Sequence, residues 1–314
     1  MTNKPKDNFI IVDHINGYLM PNAPDIYVMK RATPFFNVPE MIMGSSPIDG
    51  GNLLLKPDEH DYLIKKNPRA VKWIRPCFGG EEFINGKKRY CLWLEGCPPD
   101  ELRKMPLVYE RVKNVREFRL KSKRAATRKA ADKPTLFAER RQPTTDYLLI
   151  PKVSSERRRY IPIGYMSSEV VCTDKGLMIP NAGLFHFGVL TSCVHMNWMR
   201  MVAGRLTSRY QYSATICYNP FPWPLFYTDE QQQKIEATAQ AILDARANYP
   251  NATYADLYDE VSMPADLRKA HTENDREVMK AYRFREDIPE LAMQIVLLNS
   301  YQTLHEEFDL EDDE

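Results

Sequence analysis

Between Asn219 and Pro224 the chain reads Asn-Pro-Phe-Pro-Trp-Pro, and no other segment constrains the fold as tightly. Each proline fixes its own φ, removes a backbone donor and pushes the residue before it toward extended conformations. The connector is therefore rigid and free of helix. The hydrophobic pattern changes across it, from mixed strand and helix signals to helix signals alone. This predicts an α+β chain: a mixed α/β domain on residues 34–224 and a small all-helical domain on residues 225–314. Residues 1–33 read as a linker, the tail of something larger, and 314 residues suit about two domains. A cut after Pro224 is expected to leave a folded unit.

Within the mixed domain, Phe9 to Val12 reads as a short strand and Asn16-Gly17 as a turn. Asp58 to Lys66 reads as a helix. Glu82-Phe83-Ile84, Asn85-Gly86 and Arg89 to Leu94 read as a hairpin around an Asn-Gly turn. One long helix is expected from Asp100 to Asp132, with Met105, Val108, Val112, Val115 and Phe118 as its apolar stripe. Its other faces carry Arg111, Lys113, Arg116, Arg119, Lys121, Lys123, Arg124, Arg128 and Lys129. Strands are expected at Tyr147–Ile150, Tyr160–Ile163 and Val170–Cys172, and a helix from Thr191 to Leu206. Beyond the connector, Thr228 with Gln231 makes a capping box for a helix reaching Asn248. Pro264 suits a first helical turn, and Leu291, Ile295, Leu298 and Phe308 stripe a last helix.

Net charge is +1, but residues 101–160 hold eighteen Lys/Arg against seven Asp/Glu, while residues 301–314 hold seven acids and no Lys or Arg. A basic centre of this kind suits either a polyanion or a solvated helix face. No apolar run approaches the roughly 20 residues a membrane span needs, and Met1 to Asn8 has no secretory core, so a cytoplasmic location without membrane contact is expected. The six cysteines form no Cys-x-x-Cys pair and the six histidines are scattered, so no metal site is expected and the thiols read as reduced. Trp73, Trp93, Trp198, Trp223, His186 and His195 read as packing residues.

Several kinds of catalytic chemistry lack their residues, so no catalytic residue is assigned. Enzymes that methylate a base amine use an Asp/Asn-Pro-Pro-aromatic loop. The Pro98-Pro99 pair lies between Cys97 and Asp100, and in Asn219 to Trp223 a phenylalanine separates the prolines. There is no G-x-G-x-x-G turn and no Gly-Lys-Ser/Thr phosphate loop. No Asp or Glu is followed two positions later by Lys, as a common metal-dependent nuclease motif requires.

Laid out in this way, the chain resembles a known family. The segments concerned are Val38-Pro39-Glu40-Met41, Pro47-Ile48-Asp49-Gly50-Gly51-Asn52-Leu53, Ile74-Arg75-Pro76 through Trp93, and Arg140-Arg141-Gln142-Pro143. They continue with Ile150 to Pro162, Phe187-Gly188-Val189-Leu190-Thr191-Ser192, and Asn219 to Pro224. Together they are similar to the C-terminal half of MmeI-type DNA methyltransferases, restriction-modification enzymes that methylate adenine. The resemblance runs from about Asp13 to Leu304. It implies a target-recognition domain followed by a C-terminal helical domain, with duplex DNA as partner. It also implies that the S-adenosylmethionine site and catalytic loop lie in an upstream methyltransferase domain, joined covalently or supplied as a separate chain. No cofactor is expected in this chain, which should be inactive alone.

Recognition divides into phosphate contacts that set register and side chains that read base edges. Lys121, Lys123, Arg124, Arg128 and Lys129, where the apolar stripe fades, suit the first task, as does Lys152. Ser154, Ser155, Glu156, Arg157, Arg158 and Arg159 suit the second: an acid can accept from cytosine, and arginine can pair with guanine. The resemblance also places base contacts here. Glu156 and Arg158, two apart, would share a face of an extended strand. The competing reading of this loop is a surface ion-pair cluster. Three functions stay open: a recognition subunit for a separate methyltransferase, an inert piece of a longer enzyme, or a protein-docking module without base readout.

Overall fold

Tyr147-Leu148-Leu149-Ile150-Pro151 is buried at every position, the pattern of a strand covered on both faces. In the computed structural model, which describes residues 11–311 and side chains as far as Phe308, this run is indeed the inner strand of a sheet. In chain order the strands are β1 (Ile42–Met43), β2 (Leu54–Leu55), β3 (Ile74–Phe78), β4 (Tyr90–Leu92), β5 (Tyr147–Pro151), β6 (Val153–Ser154), β7 (Gly164–Met166), β8 (Val171–Cys172), β9 (Gly176–Pro180), β10 (Gly204–Leu206) and β11 (Arg209–Gln211). The helices are α1 (Pro57–Lys66), α2 (Gly80–Asn85), α3 (Pro99–Arg103), α4 (Pro106–Leu120), α5 (Ala125–Lys129), α6 (Leu184–Leu190), α7 (Cys193–Val202), α8 (Asp229–Ala247), α9 (Tyr254–Leu257), α10 (Ala265–Ala281) and α11 (Glu290–Glu311). The fold is α+β, as expected, with a helical C-terminal region.

The sheets have strand orders β2-β4-β3-β8, β1-β9-β5-β7 and β10-β11-β6. The first packs on α1, α3 and α4 around Leu53, Leu55, Leu92, Val108, Val112 and Val115. The second is double-sided, because successive residues of β5 point to opposite faces. Leu148 and Ile150 join the largest core, while Tyr147 and Leu149 meet Phe83, Ile84 and Cys172 in a smaller one. The parallel pairing of β3 with β8, Cys77 opposite Val171, completes the first sheet, and the turn after β8 leads into β9 of the second.

The largest core does not stop at the proline-rich connector. Phe187, Val189 and Leu190 of α6 share it with Phe221 and Trp223 of the connector and with Ile235, Ala239 and Ile242 of α8. A Cβ added to Gly188 would come within 2.8 Å of Ile235, so α6 and α8 touch almost at backbone. The connector separates two patterns of sequence, and among the described residues one core runs across it. Residues ahead of position 34 are also packed: Met20, Ala23, Ile26 and Val28 are buried in the same core.

Several local expectations change. The Glu82 to Leu94 hairpin is a helix followed by a strand. Phe83 and Ile84 are both buried, Glu82 accepts the Gly79 N–H at 2.9 Å, and Gly86 at φ +61 ends α2 as a left-handed C-cap. The Asp100 to Asp132 helix is three helices. Pro106 holds Met105 out of helical geometry, and a corner at Lys121 to Arg124 makes the second break. Tyr160 to Ile163 is buried but lies in no strand. The helix expected from Thr191 starts at Cys193, capped by Ser192, and ends at Val202, after which the chain enters β10. The Phe9 to Val12 strand falls partly outside the described residues, and Ile11 and Val12 lie in no strand. No described helix is long and apolar enough to cross a membrane.

Candidate nucleic-acid interface

β5 ends at Pro151, and β6 then pairs with β11, Tyr210 opposite Ser154 and Gln211 opposite Val153. The chain next turns sharply. Arg158 N–H donates to Ser155 O at 3.3 Å, and Arg157 N–H to Ser155 Oγ at 3.2 Å. Glu156 and Arg158 therefore stand at opposite ends of a turn and do not share the face of a strand. Glu156, Arg157 and Arg159 are exposed, Ser155 and Arg158 half-buried, and Ser154 buried. The Glu156 carboxyl is held below its ordinary range, first by its own backbone N–H, then by the Ser208 hydroxyl and by the charges of Arg157 and Arg209. Burial lowers the Arg158 pKa, and the nearby Asp259 charge opposes that shift.

The far side of the turn is braced by the C-terminal helices. Tyr160 Oη donates to Asp275 Oδ2 at 2.7 Å, and its ring stacks on His271 at 4.1 Å. The other oxygen of Asp275 accepts the Cys193 N–H at 2.7 Å, and Arg159 lies 3.8 Å from the carboxylate. His271 Nε2 meets Tyr258 Oη at 2.8 Å, Tyr258 accepts from Arg246 Nε at 2.7 Å, and Arg246 Nη1 donates to Ile163 O at 2.6 Å. Arg200 donates to Arg159 O at 2.6 Å. Burial raises the Asp275 pKa, with Tyr160, Cys193 and Arg159 opposing, and burial drives His271 well below its ordinary value.

A cleft of about 1000 Å³ opens between α2 and the β6–β11 strands. Lys152, Arg158, Arg89, Lys175 and Arg209 line it with Ser154, Ser155 and Gln211, against the three acids Glu81, Glu82 and Asp174, so five cations face three carboxylates. Ser154 Oγ, Arg89 Nε and Arg158 Nε are buried and make no hydrogen bond within the described residues. Buried polar atoms of this kind are normally satisfied, so the cleft presents donors on two walls. Behind the turn, a second cavity of about 350 Å³ places Glu156 to Tyr160 opposite Asp259, Glu260 and Arg268.

The other predicted phosphate-binding residues lie elsewhere. Lys121, Lys123, Arg124, Arg128 and Lys129 are all exposed on the α4–α5 corner, and none lines the cleft. Arg128 closes the corner by donating to Ser122 O and Lys123 O at 2.9 and 2.8 Å. Arg119, read from sequence as an outer-face cation, is fully buried. Its guanidinium makes five hydrogen bonds, to the carbonyls of Ile48, Ala130, Lys133, Pro47 and Leu136 at 2.7–3.1 Å. Five N–H groups are all that arginine has, so Arg119 is a structural hub. His195 is core, bonded to Tyr212 Oη at 2.8 Å with its pKa pushed down to about 3 by burial. Trp198, Trp223 and Trp93 are buried as expected, while Trp73 and His186 are half-buried. Asn219 is buried too, donating to Arg31 O and Ala32 O. Sequence reading missed Arg89, Lys175, Arg205, Ser208, Arg209 and Gln211. The available signal was the alternation around buried Tyr210 and Tyr212 after a helix-ending Gly204.

An arginine-bearing turn and an exposed two-stranded ribbon flank this cleft on an α+β scaffold. The chain belongs to the MmeI family: residues 22–225 match "MmeI, target recognition domain" and residues 227–308 match "MmeI, C-terminal domain". It is 36% identical over 296 residues to DNA methyltransferase A of Bacillus subtilis (strain 168), covering 94% of this chain and 33% of that protein. Among solved structures it is similar to the Type IIL restriction-modification enzyme MmeI in complex with DNA, at 44% identity and a TM-score of 0.91, covering 95% of this chain and 39% of that one. The chain thus spans between a third and two fifths of the length of these relatives.

Proposed function

We propose that this chain reads a duplex DNA sequence as the specificity part of an adenine-N6 methyltransferase of a restriction-modification system, in the cytoplasm, with methyl transfer performed by a methyltransferase domain outside this sequence. The observation that carries the proposal is the Ser155 to Arg159 turn: an acceptor and three guanidiniums at the edge of a basic cleft, on a fold shared with an enzyme described in complex with DNA. Glu156 and Arg158 are the base readers, with Ser154, Ser155, Arg157 and Arg159 beside them. Lys152 contacts phosphate from within the cleft. Lys121, Lys123, Arg124 and Lys129 contact phosphates flanking the site, while Arg128 shapes that corner.

We expect S-adenosylmethionine to bind outside this sequence, and one glycine turn supports that reading. The Gly79-Gly80 turn between β3 and α2 is filled: a Cβ on Gly79 would meet Thr173 and Lys175 within 2.8 Å, and Glu82 already takes the Gly79 N–H. The cofactor belongs to the methyltransferase domain.

Binding-site selection on the chain and its variants tests the reading. Glu156→Ala and Arg158→Ala should each cost on the order of 1–3 kcal/mol on the selected site and relax preference at one base pair. Lys123→Ala should weaken all sequences alike and reduce the salt slope by about one unit. Unchanged selection in both loop variants refutes the loop as reader and favours the surface ion-pair cluster. A wild-type chain with no salt-dependent DNA affinity favours a docking module.

A further inference from the structure

The β10–β11 ribbon is built to protrude. Gly204, Arg205, Leu206, Thr207, Ser208 and Arg209 are exposed without interruption, while Tyr210 and Tyr212 are buried and root the ribbon in the scaffold. Arg205 lies over the Tyr210 ring, 3.9 Å from its centroid. Residues 201–227 contain no Asp or Glu. Arg205 and Arg209 enter no ion pair within 4 Å among the described residues.

Two further observations set the ribbon apart from an ordinary solvated hairpin. It is hydrogen-bonded to β6, the strand that runs straight into the Ser155 to Arg159 turn, so ribbon and turn leave the scaffold side by side. Arg209, near the ribbon's tip, lines the same cleft as Ser155 and Arg158 of the turn. The tip residue Thr207 has φ +57, a conformation that disfavours β-branched side chains and usually goes to glycine or asparagine.

The B-DNA major groove admits a two-stranded β-ribbon, and arginine is the commonest reader of guanine there. We infer that the ribbon is a second reading element: it enters the major groove beside the turn, and Arg209 reads a guanine edge. This rests on the reading of the turn given above, and it adds a base pair to the recognised site that the turn alone does not specify.

The test is binding-site selection with the full chain and four single variants. Arg209→Ala should lower affinity for the selected duplex by roughly 5- to 150-fold and relax one base pair that Glu156→Ala leaves intact. Arg209→Lys keeps the charge but not the forked donor geometry, so it should relax the same pair. Two outcomes overturn the inference: Arg209→Ala weakening every sequence equally with the salt slope falling by about one, or Arg209→Ala leaving selection unchanged. The first makes the ribbon a phosphate clamp and the second a solvated hairpin. A wild-type chain that selects no sequence overturns the function proposed above, whereas selection lost only in the Glu156 and Arg158 variants overturns the ribbon alone.

Discussion

Asp275 sits on α10, far along the chain from the turn it braces, and its replacement separates bracing from mere packing. Asp275→Ala removes the acceptor for both the Tyr160 hydroxyl and the Cys193 N–H, each at 2.7 Å in a buried setting. Each orphaned donor costs about 1–3 kcal/mol, and losing a carboxylate whose burial disfavours ionisation returns part of that, so the net is on the order of 2–4 kcal/mol. Thermal unfolding should register a drop of roughly 4–16 °C. Selection should lose preference at the pair read through Glu156 and Arg158, with affinity for random duplex changing less than about threefold. Asp275→Asn can donate to Tyr160 and accept from Cys193, so it should keep the preference. The folded pKa of Asp275 is raised, so its contribution to stability is fully present below the unfolded value of about 3.9 and is lost as pH rises through the folded value. Urea unfolding of the Asn variant, which does not titrate, should therefore gain on wild type from about pH 4 toward neutrality. If Asp275→Ala is destabilised yet selects the wild-type sequence unchanged, the helical region only supports the scaffold and the bracing argument fails.

Ending the chain after Pro224 should yield an aggregating or dye-binding product on size-exclusion chromatography, because the α6 face buried by α8 becomes exposed. A soluble monomer that binds DNA would contradict this. Arg119→Met should cost at least about 3 kcal/mol in urea unfolding by stranding five carbonyls, whereas Lys123→Ala should leave the unfolding midpoint unmoved and change only the salt dependence of binding. His195 and His271 are buried and neutral, with folded pKa values depressed below the unfolded value of about 6.5. The unfolded chain takes up their protons first, so lowering pH from 7 to 5 should remove about 2 kcal/mol per histidine. The loss should be smaller in a His195→Gln variant, and an unchanged slope would count against His195.

Wherever a single local rule decided the outcome, the sequence was legible. Thr228 and Gln231 cap α8 reciprocally, and the Tyr147 run forms its strand. The Ser154 to Arg159 segment stood out by its arginines and by resemblance, but the turn that separates Glu156 from Arg158 was not read from sequence. What escaped depended on partners remote in sequence. Asn85-Gly86 serves a hairpin or a helix end equally well, and only the burial of both Phe83 and Ile84 decides between them. Arg119 looked like its basic neighbours because nothing nearby in sequence announces the carbonyls of Pro47 and Ile48. In the last helix Leu298 is buried as expected, and Met293, Leu297 and Tyr301 are buried with it, while Leu291 and Ile295 are half-buried. The two family regions meet at the connector, yet proline reports backbone conformation and says nothing of where Phe221 and Trp223 pack.

The parallel pairing of β3 with β8 has a consequence on the ribosome. The first sheet lacks its edge strand until Cys172 has been made, about 80 residues after β4 ends at Leu92. At roughly 5–20 residues per second, that edge waits about 4–16 s. In that interval the Phe78 carbonyl, which later accepts the Thr173 N–H at 2.8 Å, lacks that partner in the nascent chain, the kind of edge that recruits other strands. The charged α4–α5 corner is synthesised within the same interval, so a strongly cationic stretch accompanies the open edge before the fold can close over it.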